Sequence, residues 1–273
     1  MKLSCLPVSL FQDISSGAMS VGEWFDFAAE CGFDGADISM LFIHSHAHTY
    51  VQQFKRMLQS KPIPAVMCSA YPDFTHYDEQ QLKREAAYFN RDIALCSELG
   101  IPFVRVLAGQ AHPETDIDKG IDQAIKYIRE AAKVADDYGV TLLYENHGKP
   151  GAWQYIDMTY PPELFLRVLE GIWNTSVLVN FDIGNVTAYG DDAVELLKRV
   201  YEKVGTIHVS DMKEKGTFAP TAIGTGVAPL KEAFSLLKKK GFNGWISIEE
   251  ASFNGKDGIC RAVEVTKKLW NEA

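Results

Sequence analysis

Short apolar runs rich in β-branched residues alternate with longer amphipathic segments from one end of the chain to the other. This alternation predicts eight βα units arranged around a parallel sheet. The predicted strands are residues 3–9, 34–39, 63–71, 101–109, 140–146, 176–182, 205–211 and 244–250. The predicted helices are residues 21–31, 48–60, 78–98, 117–138, 161–171, 191–203, 228–240 and 257–270.

Glycines recur at the boundary between a predicted helix and the next strand. Gly100 in ELGIPF and Gly139 in DYGVTL stand just past the last helical turn. Glycine readily adopts the left-handed conformation that ends a helix, so both residues support the predicted boundaries. Neither a long sequence repeat nor a Ser-, Pro- or Gly-rich linker divides the chain, and we expect a single domain over residues 1–273.

The number of units narrows the fold class. Eight βα units in 273 residues fit an α/β single (β/α)8 TIM barrel, whose chemistry lies on the loops after the strands. The rival architecture is a doubly wound open sheet, which usually carries a glycine fingerprint after its first strand. The segment VSLFQDISSG contains no GxGxxG. The sequence therefore favours the closed barrel.

Composition and charge mainly exclude classes of partner. Hydrophobic residues make up 47% of the chain and charged residues 23%, which is ordinary for a globular enzyme. A formal net charge of −9 disfavours a nucleic-acid partner, because such partners need clustered Lys and Arg. We find no apolar run of membrane-spanning length and no clear secretory signal, and therefore expect no membrane partner and a cytoplasmic location.

The cysteines show no recognisable pairing. Their number is odd and none forms a CxxC pair, so neither a disulfide framework nor a thiolate zinc site is expected. We expect buried thiols instead. The cysteines are Cys5, Cys31, Cys68, Cys96 and Cys260.

Polar residues that can bind a metal stand at the ends of the last four predicted strands, in YENHG, FDIGN, HVSDMK and GWISIEE. Each strand offers one candidate ligand: Glu145, Asp182, His208 and Glu249. A single carboxylate at a strand end is more often a helix cap. In a closed barrel, however, the ends of four successive strands converge, so we expect these four side chains to lie close together. Three carboxylates and one imidazole suit a single divalent ion, Mn²⁺ or Mg²⁺ first, with Co²⁺, Fe²⁺ or Zn²⁺ also compatible.

These motifs, together with the GTGVAPL turn, resemble those of the xylose isomerase-like barrel superfamily. The superfamily includes sugar phosphate isomerases and epimerases, ketose 3-epimerases, hydroxypyruvate isomerases, inosose dehydratases and endonuclease IV. The resemblance implies that Glu145, Asp182, His208 and Glu249 are the metal ligands. By the same resemblance, Glu145 and Glu249 are the catalytic acid and base, and dimers or tetramers are common.

Five further positions are candidates for substrate binding. His147 follows the Glu145 strand end, and Asp211 either contacts a ligand or substrate or caps the following loop. Asn185 stands where relatives carry the His of a D-x-x-H motif, so the role of that His cannot be transferred unchanged. Lys213 either meets an anionic or hydroxyl group or is solvated. Arg105 either points into the barrel mouth or forms a structural salt bridge.

Other motifs leave alternatives open. The tract His44-Ser-His46-Ala-His48 could line the substrate pocket, but loop spacing does not fix three imidazoles around a second metal. The Gly-x-Gly of AIGTGVAPL either binds a phosphate or forms a tight turn. Five aromatic residues near strand ends either form an apolar wall for a sugar or pack in the core; they are Phe11, Tyr71, Phe74, Trp153 and Tyr155.

The leading functional hypothesis is a metal-dependent isomerase or epimerase that acts on a small sugar through a metal-stabilised enediolate. The first alternative is a lyase, such as a dehydratase of an inosose or a 3-keto-sugar, because the same intermediate can lose a β-hydroxyl. The second is a barrel that binds ligands without catalysis. The acidic charge and the small number of histidines disfavour a trinuclear zinc nuclease.

Overall fold

Eight parallel strands pair side by side in the computed structural model, which describes residues 1–273. The strands are β1 (Lys2–Leu6), β2 (Ala36–Ser39), β3 (Ala65–Ser69), β4 (Phe103–Val106), β5 (Thr141–Glu145), β6 (Leu178–Asp182), β7 (Val204–Val209) and β8 (Trp245–Glu249). Their order is β1-β8-β7-β6-β5-β4-β3-β2. The backbone N–H groups of Asp34 and Gly35 donate to the carbonyl of Leu3 at 2.8 and 3.1 Å, which brings β2 beside β1. The predicted TIM barrel is confirmed.

Ten α-helices accompany the strands: α1 (Phe11–Ser15), α2 (Val21–Glu30), α3 (His48–Gln59), α4 (Glu79–Leu99), α5 (Ile117–Tyr138), α6 (Pro162–Ile172), α7 (Ile183–Tyr189), α8 (Ala193–Val200), α9 (Leu230–Lys239) and α10 (Gly255–Glu272). Gly100 and Gly139 end α4 and α5 in the left-handed conformation, as predicted. None of these helices combines the length and apolar character needed to cross a lipid bilayer.

Two helices were missed by the sequence prediction, and one was drawn too long. Helix α1 has five residues and α7 has seven, too few for helical periodicity to be visible. Helix α7 also begins directly after a strand, where polar residues resemble a loop. The predicted helix 191–203 is α8 followed by a 3-10 turn at Tyr201–Lys203.

The strands are buried on both faces, as expected for a parallel barrel enclosed by helices. A polar layer crosses the barrel interior below the strand ends. The Oδ2 atom of Asp37 accepts hydrogen bonds from the Ser4 and Ser247 hydroxyls. Ser247 lies two residues before the end of β8, so this layer lies one step inside the C-terminal mouth.

The cysteine prediction was wrong for one pair. Cys31, which follows α2, forms a disulfide with Cys260 in α10, and their Cα atoms are 4.9 Å apart. The two residues are separated by 229 positions, so no local spacing could reveal the pairing. Closure of the barrel brings α10 against the end of α2, where Lys267 donates to the Gly32 carbonyl at 3.0 Å. The remaining cysteines are free and buried: Cys5, Cys68 and Cys96.

Candidate metal centre

Four candidate ligands meet at the C-terminal mouth of the barrel. Glu145, Asp182 and Glu249 are the last residues of β5, β6 and β8, and His208 is the penultimate residue of β7. Parallel pairing places Asp182 opposite His208. One ligand atom from each side chain lies within 4.8 Å of the others. The structure therefore brings together all four residues that the sequence singled out.

Four side-chain atoms of this group that could bind a metal lack hydrogen-bond partners. Both ring nitrogens of His208, Oδ2 of Asp182 and Oε2 of Glu249 are buried and unpaired. His208 Nδ1 lies 2.6 Å from Glu145 Oε1 and 3.0 Å from Glu249 Oε2, yet neither contact has hydrogen-bond geometry. Buried polar atoms in native proteins normally have a partner. Converging unpaired oxygens and a nitrogen fit a bound divalent cation.

The electrostatics of the group reflect crowded negative charge. Burial, and then repulsion from Glu249 and Glu145, raise the pKa of Asp182 well above its usual range. Burial opposes the ionisation of Glu145, but His208 and Arg105 outweigh it and lower the pKa of that carboxyl. Burial also opposes a charge on His208, and Glu145 outweighs it and raises the imidazole pKa. A bound cation would neutralise these carboxylates.

Glu145 is held rigidly from two sides. Its Oε2 accepts a hydrogen bond from Arg105 Nη1 at 2.7 Å, and its Oε1 accepts one from Asn180 Nδ2 at 2.8 Å. The Arg105 guanidinium also lies over the Tyr71 ring, 4.8 Å from its centroid. Thr206 donates to Asn180 Oδ1 at 2.7 Å and so fixes the orientation of that amide. Both alternatives for Arg105 hold, because it forms an ion pair and also lines the cavity.

Asp182 is oriented by the start of α7 and by the end of β7. Its Oδ1 accepts the Asn185 backbone N–H at 2.6 Å and the Ser210 hydroxyl at 2.8 Å. The side chain of Asn146 exchanges two hydrogen bonds with the Asp182 backbone, at 2.8 and 2.9 Å. A Cβ atom at Gly184 would lie 2.1 Å from Ser210 Oγ, so this close approach requires glycine. Sequence reasoning missed Asn146, Asn180 and Ser210 in these supporting roles.

A cavity of about 690 Å³ opens above the candidate ligands. Four of the five predicted substrate-binding residues line it and are buried: Arg105, His147, Asn185 and Asp211. Burial lowers the pKa of His147 to about 4, so its imidazole is neutral near pH 7, and its Nδ1 has no partner. Lys213 is exposed and lies outside the cavity lining. The substrate-binding roles of all five stay predictions.

Asp211 holds the Gly-x-Gly loop. Its Oδ2 accepts the backbone N–H groups of Gly224 and Gly226, each at 2.9 Å. Its Oδ1 accepts those of Met212 at 2.9 Å and Ala228 at 3.0 Å. A Cβ atom at Gly226 would lie 2.2 Å from the Met212 carbonyl oxygen. Of the alternatives given above, Asp211 therefore caps this loop and the Gly-x-Gly motif forms a tight turn. The Gly224 and Gly226 amides already bind Asp211 and are not free to bind a phosphate.

The remaining candidate motifs contribute little to the cavity. His44, His46 and His48 are exposed, and none of them lines it. Two of the five aromatic candidates, Phe11 and Tyr71, belong to the lining. The other three are Phe74, Trp153 and Tyr155, which lie outside it. The apolar part of the lining includes residues that the sequence did not single out, namely Leu41, Phe218 and Phe253.

Comparisons with known proteins agree with the barrel fold. The family model described as xylose isomerase-like TIM barrel matches residues 25–269. A putative hydroxypyruvate isomerase of Streptomyces coelicolor is 28% identical over 166 residues, which span 59% of this chain and 57% of that relative. A putative L-ribulose-5-phosphate 3-epimerase of Haemophilus influenzae is 26% identical over 221 residues, covering 75% of this chain and 72% of the relative.

A solved structure extends the similarity to the whole fold. The crystal structure of IolI protein with a bound zinc atom superimposes with a TM-score of 0.81 at 17% identity, covering 100% of this chain and 99% of the other. At this identity the similarity concerns the fold alone. The zinc atom belongs to that protein.

Proposed function

Because this chain belongs to the xylose isomerase-like TIM barrel family, we propose that it is a divalent-metal-dependent isomerase or epimerase of a small sugar. The observation that carries the proposal is the convergence of Glu145, Asp182, His208 and Glu249 within 4.8 Å at the barrel mouth. The relatives named as an isomerase and as a 3-epimerase support the same reaction class.

The ligand set determines which ion and which chemistry we propose. Three carboxylates and one imidazole favour Mn²⁺ or Mg²⁺, and also accept Co²⁺, Fe²⁺ or Zn²⁺. An ion bound here acts as a Lewis acid that stabilises negative charge on a substrate oxygen. That charge develops when a proton leaves the carbon next to a carbonyl.

The two glutamates are the proposed proton-transfer groups, and their surroundings differ. Glu145 is fully buried and clamped by Arg105 and Asn180. Glu249 lines the cavity, its side chain is 18% exposed, and its Oε2 has no partner. Carboxylates on opposite faces of a substrate carbon would invert it by removing a proton on one side and returning one on the other. Transfer of the proton to the adjacent carbon would instead give isomerisation.

The remaining expectations complete the proposal. We propose that the partner is a small-molecule sugar, that the protein forms a homodimer or a homotetramer, and that it acts in the cytoplasm. The redox state of Cys31 and Cys260, which form a disulfide in this structure, tests that location, because disulfides persist mainly in oxidising compartments.

Solvent isotope exchange tests the reaction class. The Mn²⁺-loaded protein is incubated in D₂O with a panel of ketoses and keto-sugars, and the products are analysed by NMR and mass spectrometry. We expect deuterium next to the carbonyl with carbon skeleton and oxygens intact. Loss of water would support the lyase alternative. Absence of exchange on every substrate by metal-loaded protein would contradict both.

A matched pair of variants assigns the activity to the site. Glu249→Gln removes the charge of the cavity-facing carboxylate, and we expect exchange to fall by about a hundredfold or more. Glu264→Gln removes an equal charge from the exposed surface of α10, and we expect it to match the wild type.

A further inference from the structure

The cavity above the metal centre has a polar floor and an apolar mouth. Arg105, His147, Asn185 and Asp211 lie buried at the floor. The mouth is formed by loops that follow different strands and carry large apolar side chains exposed to solvent. These side chains are Leu41 (44% exposed), Phe218 (51%) and Phe253 (74%).

The cavity volume exceeds what a free sugar needs. Pockets of about 300–1,000 Å³ bury drug-sized molecules, whereas a free hexose has only about a dozen non-hydrogen atoms. At about 690 Å³ the cavity holds a sugar at the floor and leaves room for a second group beyond it. That second group would lie against the apolar mouth.

Exposed apolar residues are common on protein surfaces when they are scattered singly. Here three of them come from three different loops and line one opening, together with the side chains of Phe11 and Ala251. Exposed apolar side chains that gather at one opening, rather than being scattered, are typical of surfaces that bind a ligand or a partner. An aromatic ring packs well against such a surface, whereas a second sugar would need partners for its hydroxyls.

The backbone at Phe253 supports a binding role. Phe253 is the only non-glycine residue with a positive φ, at 58°. Such a conformation costs about 1–3 kcal/mol and is found most often at functional sites. The Phe253 N–H donates to the Ser9 hydroxyl at 2.8 Å, and the Ser9 N–H donates to the Glu250 carbonyl at 2.9 Å. These bonds hold Phe253 at the cavity mouth, close in sequence to Glu249.

Phe218 is also placed against the site. A Cβ atom added at Gly148 would lie 3.3 Å from the Phe218 ring and 3.5 Å from Asn185 Oδ1. The ring therefore covers the loop after β5 close to the polar floor.

The charge of the lining disfavours a phosphorylated substrate. Arg105 and Lys149 are the only Arg or Lys residues that line the cavity, and Arg105 is paired with Glu145. The amides of Gly224 and Gly226 are bound to Asp211. One exposed Lys is left for a dianion, which is a poor match for a phosphate site.

We infer that the substrate is a keto-sugar that carries an aryl-sized apolar group in glycosidic linkage, and that Phe218 and Phe253 bind this group. The inference rests on the proposed function, since it places the sugar at the metal centre. A glycosidic bond occupies the anomeric carbon, so the carbonyl beside the transferred proton lies at another ring carbon.

Calorimetric binding to Mn²⁺-loaded protein tests the inference without requiring turnover. The probes are methyl and phenyl 3-keto-β-D-glucoside, 3-keto-cellobiose and D-ribulose 5-phosphate. We expect the phenyl glycoside to bind at least about tenfold more tightly than the methyl glycoside. Phe218→Ala and Phe253→Ala should each remove most of this ratio. Tyr138→Ala, an exposed aromatic at the end of α5 and outside the cavity, should preserve it.

Each other outcome overturns the inference. Equal binding of the methyl and phenyl probes, or a ratio unchanged in both Phe variants, would show that the mouth does not bind an aryl group. Tighter binding of 3-keto-cellobiose or of the phosphate would assign a different substrate class. The phenyl preference without deuterium exchange would contradict the proposed function alone, and exchange without the preference would contradict the inference alone.

Discussion

The two halves of the barrel end their strands differently. Strands β1 to β4 end in neutral residues, Leu6, Ser39, Ser69 and Val106. Strands β5, β6 and β8 end in carboxylates, and β7 carries an imidazole one residue before its end. All eight strands are parallel members of one sheet, so the strand arrangement is common to both halves. The side chains at the strand ends distinguish them.

The two halves contribute different side chains to the site. The second half concentrates unpaired donor atoms, which fit a cation. The first half contributes Arg105 of β4, which pairs with Glu145, and the loops after its first two strands supply part of the apolar lining of the cavity. The candidate metal ligands thus all lie in the second half of the ring, whereas the cavity is lined by residues of both halves. Changes in each half should have distinguishable effects.

The largest effect is expected from the second half. Asp182→Asn removes a charged candidate ligand, and we predict that deuterium exchange falls by about a thousandfold. The matched variant Asp37→Asn removes a buried carboxylate from β2, outside the candidate ligand group. It should retain Mn²⁺ binding in equilibrium dialysis. Loss of Mn²⁺ binding in Asp37→Asn but not in Asp182→Asn would contradict the assignment of the metal ligands to the second half of the barrel.

The second effect concerns Arg105 of the first half, which pairs with Glu145 of the second. Arg105→Met leaves the buried Glu145 without its cationic partner, and breaking such a pair costs about 3–5 kcal/mol. We predict this loss in the free energy of unfolding of metal-free protein by urea denaturation, and a smaller loss with Mn²⁺ bound. Arg129→Met, at an exposed position on α5, is the control. Equal losses with and without Mn²⁺ would mean that the ion does not interact with Glu145.

The third effect concerns the covalent link between the first and last parts of the ring. Cys260→Ser removes the bond to Cys31, and loss of a disulfide costs about 2–4 kcal/mol. We predict a lower Tm for this variant and for reduced wild type, whereas reduction should not change the Tm of Cys260→Ser. Titration of free thiols in freshly isolated protein establishes whether the bond is present. An identical Tm in oxidised and reduced wild type would contradict a stabilising disulfide between Cys31 and Cys260.

The smallest effect concerns the seam between the halves, where Asp157 forms an antiparallel bridge with Gln110. Burial raises the pKa of Asp157 from 3.8 to about 7, with Asp73 adding to the shift, while Thr159 and Arg105 oppose it. The folded state therefore binds the proton more tightly than the unfolded state. This contribution to stability is complete below about pH 4 and is lost as the pH rises through about 7.

Asp157→Asn removes this titration. We predict that the variant gains stability relative to the wild type between pH 5 and pH 8, on the order of 1–3 kcal/mol, as measured by urea unfolding at both values. Asp137→Asn, at an exposed position on α5, should show no such gain. A wild type that loses nothing relative to the variant over this interval would contradict the raised pKa.

Local sequence signals predicted the strands that carry the candidate ligands. The ends of the last four strands could be located within two residues from apolar runs and flanking glycines, and a closed barrel then requires neighbouring strand ends to converge. For this reason the sequence alone groups four candidate ligands: Glu145, Asp182, His208 and Glu249. The same reasoning could not exclude Lys213, because the direction of a side chain in a long loop depends on tertiary packing.

The supporting contacts could not be predicted from the sequence, because each of them joins residues of different strands. Asn180 orients Glu145 from the neighbouring strand, and Ser210 orients Asp182 from the next. The Cys31–Cys260 pair is formed only when the ring closes. Phe253 gave no periodic signal, since its position depends on a left-handed backbone that glycine normally adopts.

Equilibrium dialysis of purified, metal-stripped protein against Mn²⁺, followed by elemental analysis, tests the central claim most directly. The account predicts a single tightly bound ion per chain in the wild type and a large loss of that ion in Glu249→Gln, with Glu264→Gln unchanged. A wild type that binds no divalent ion, or a Glu249→Gln variant that binds it as tightly as the wild type does, would contradict the metal centre.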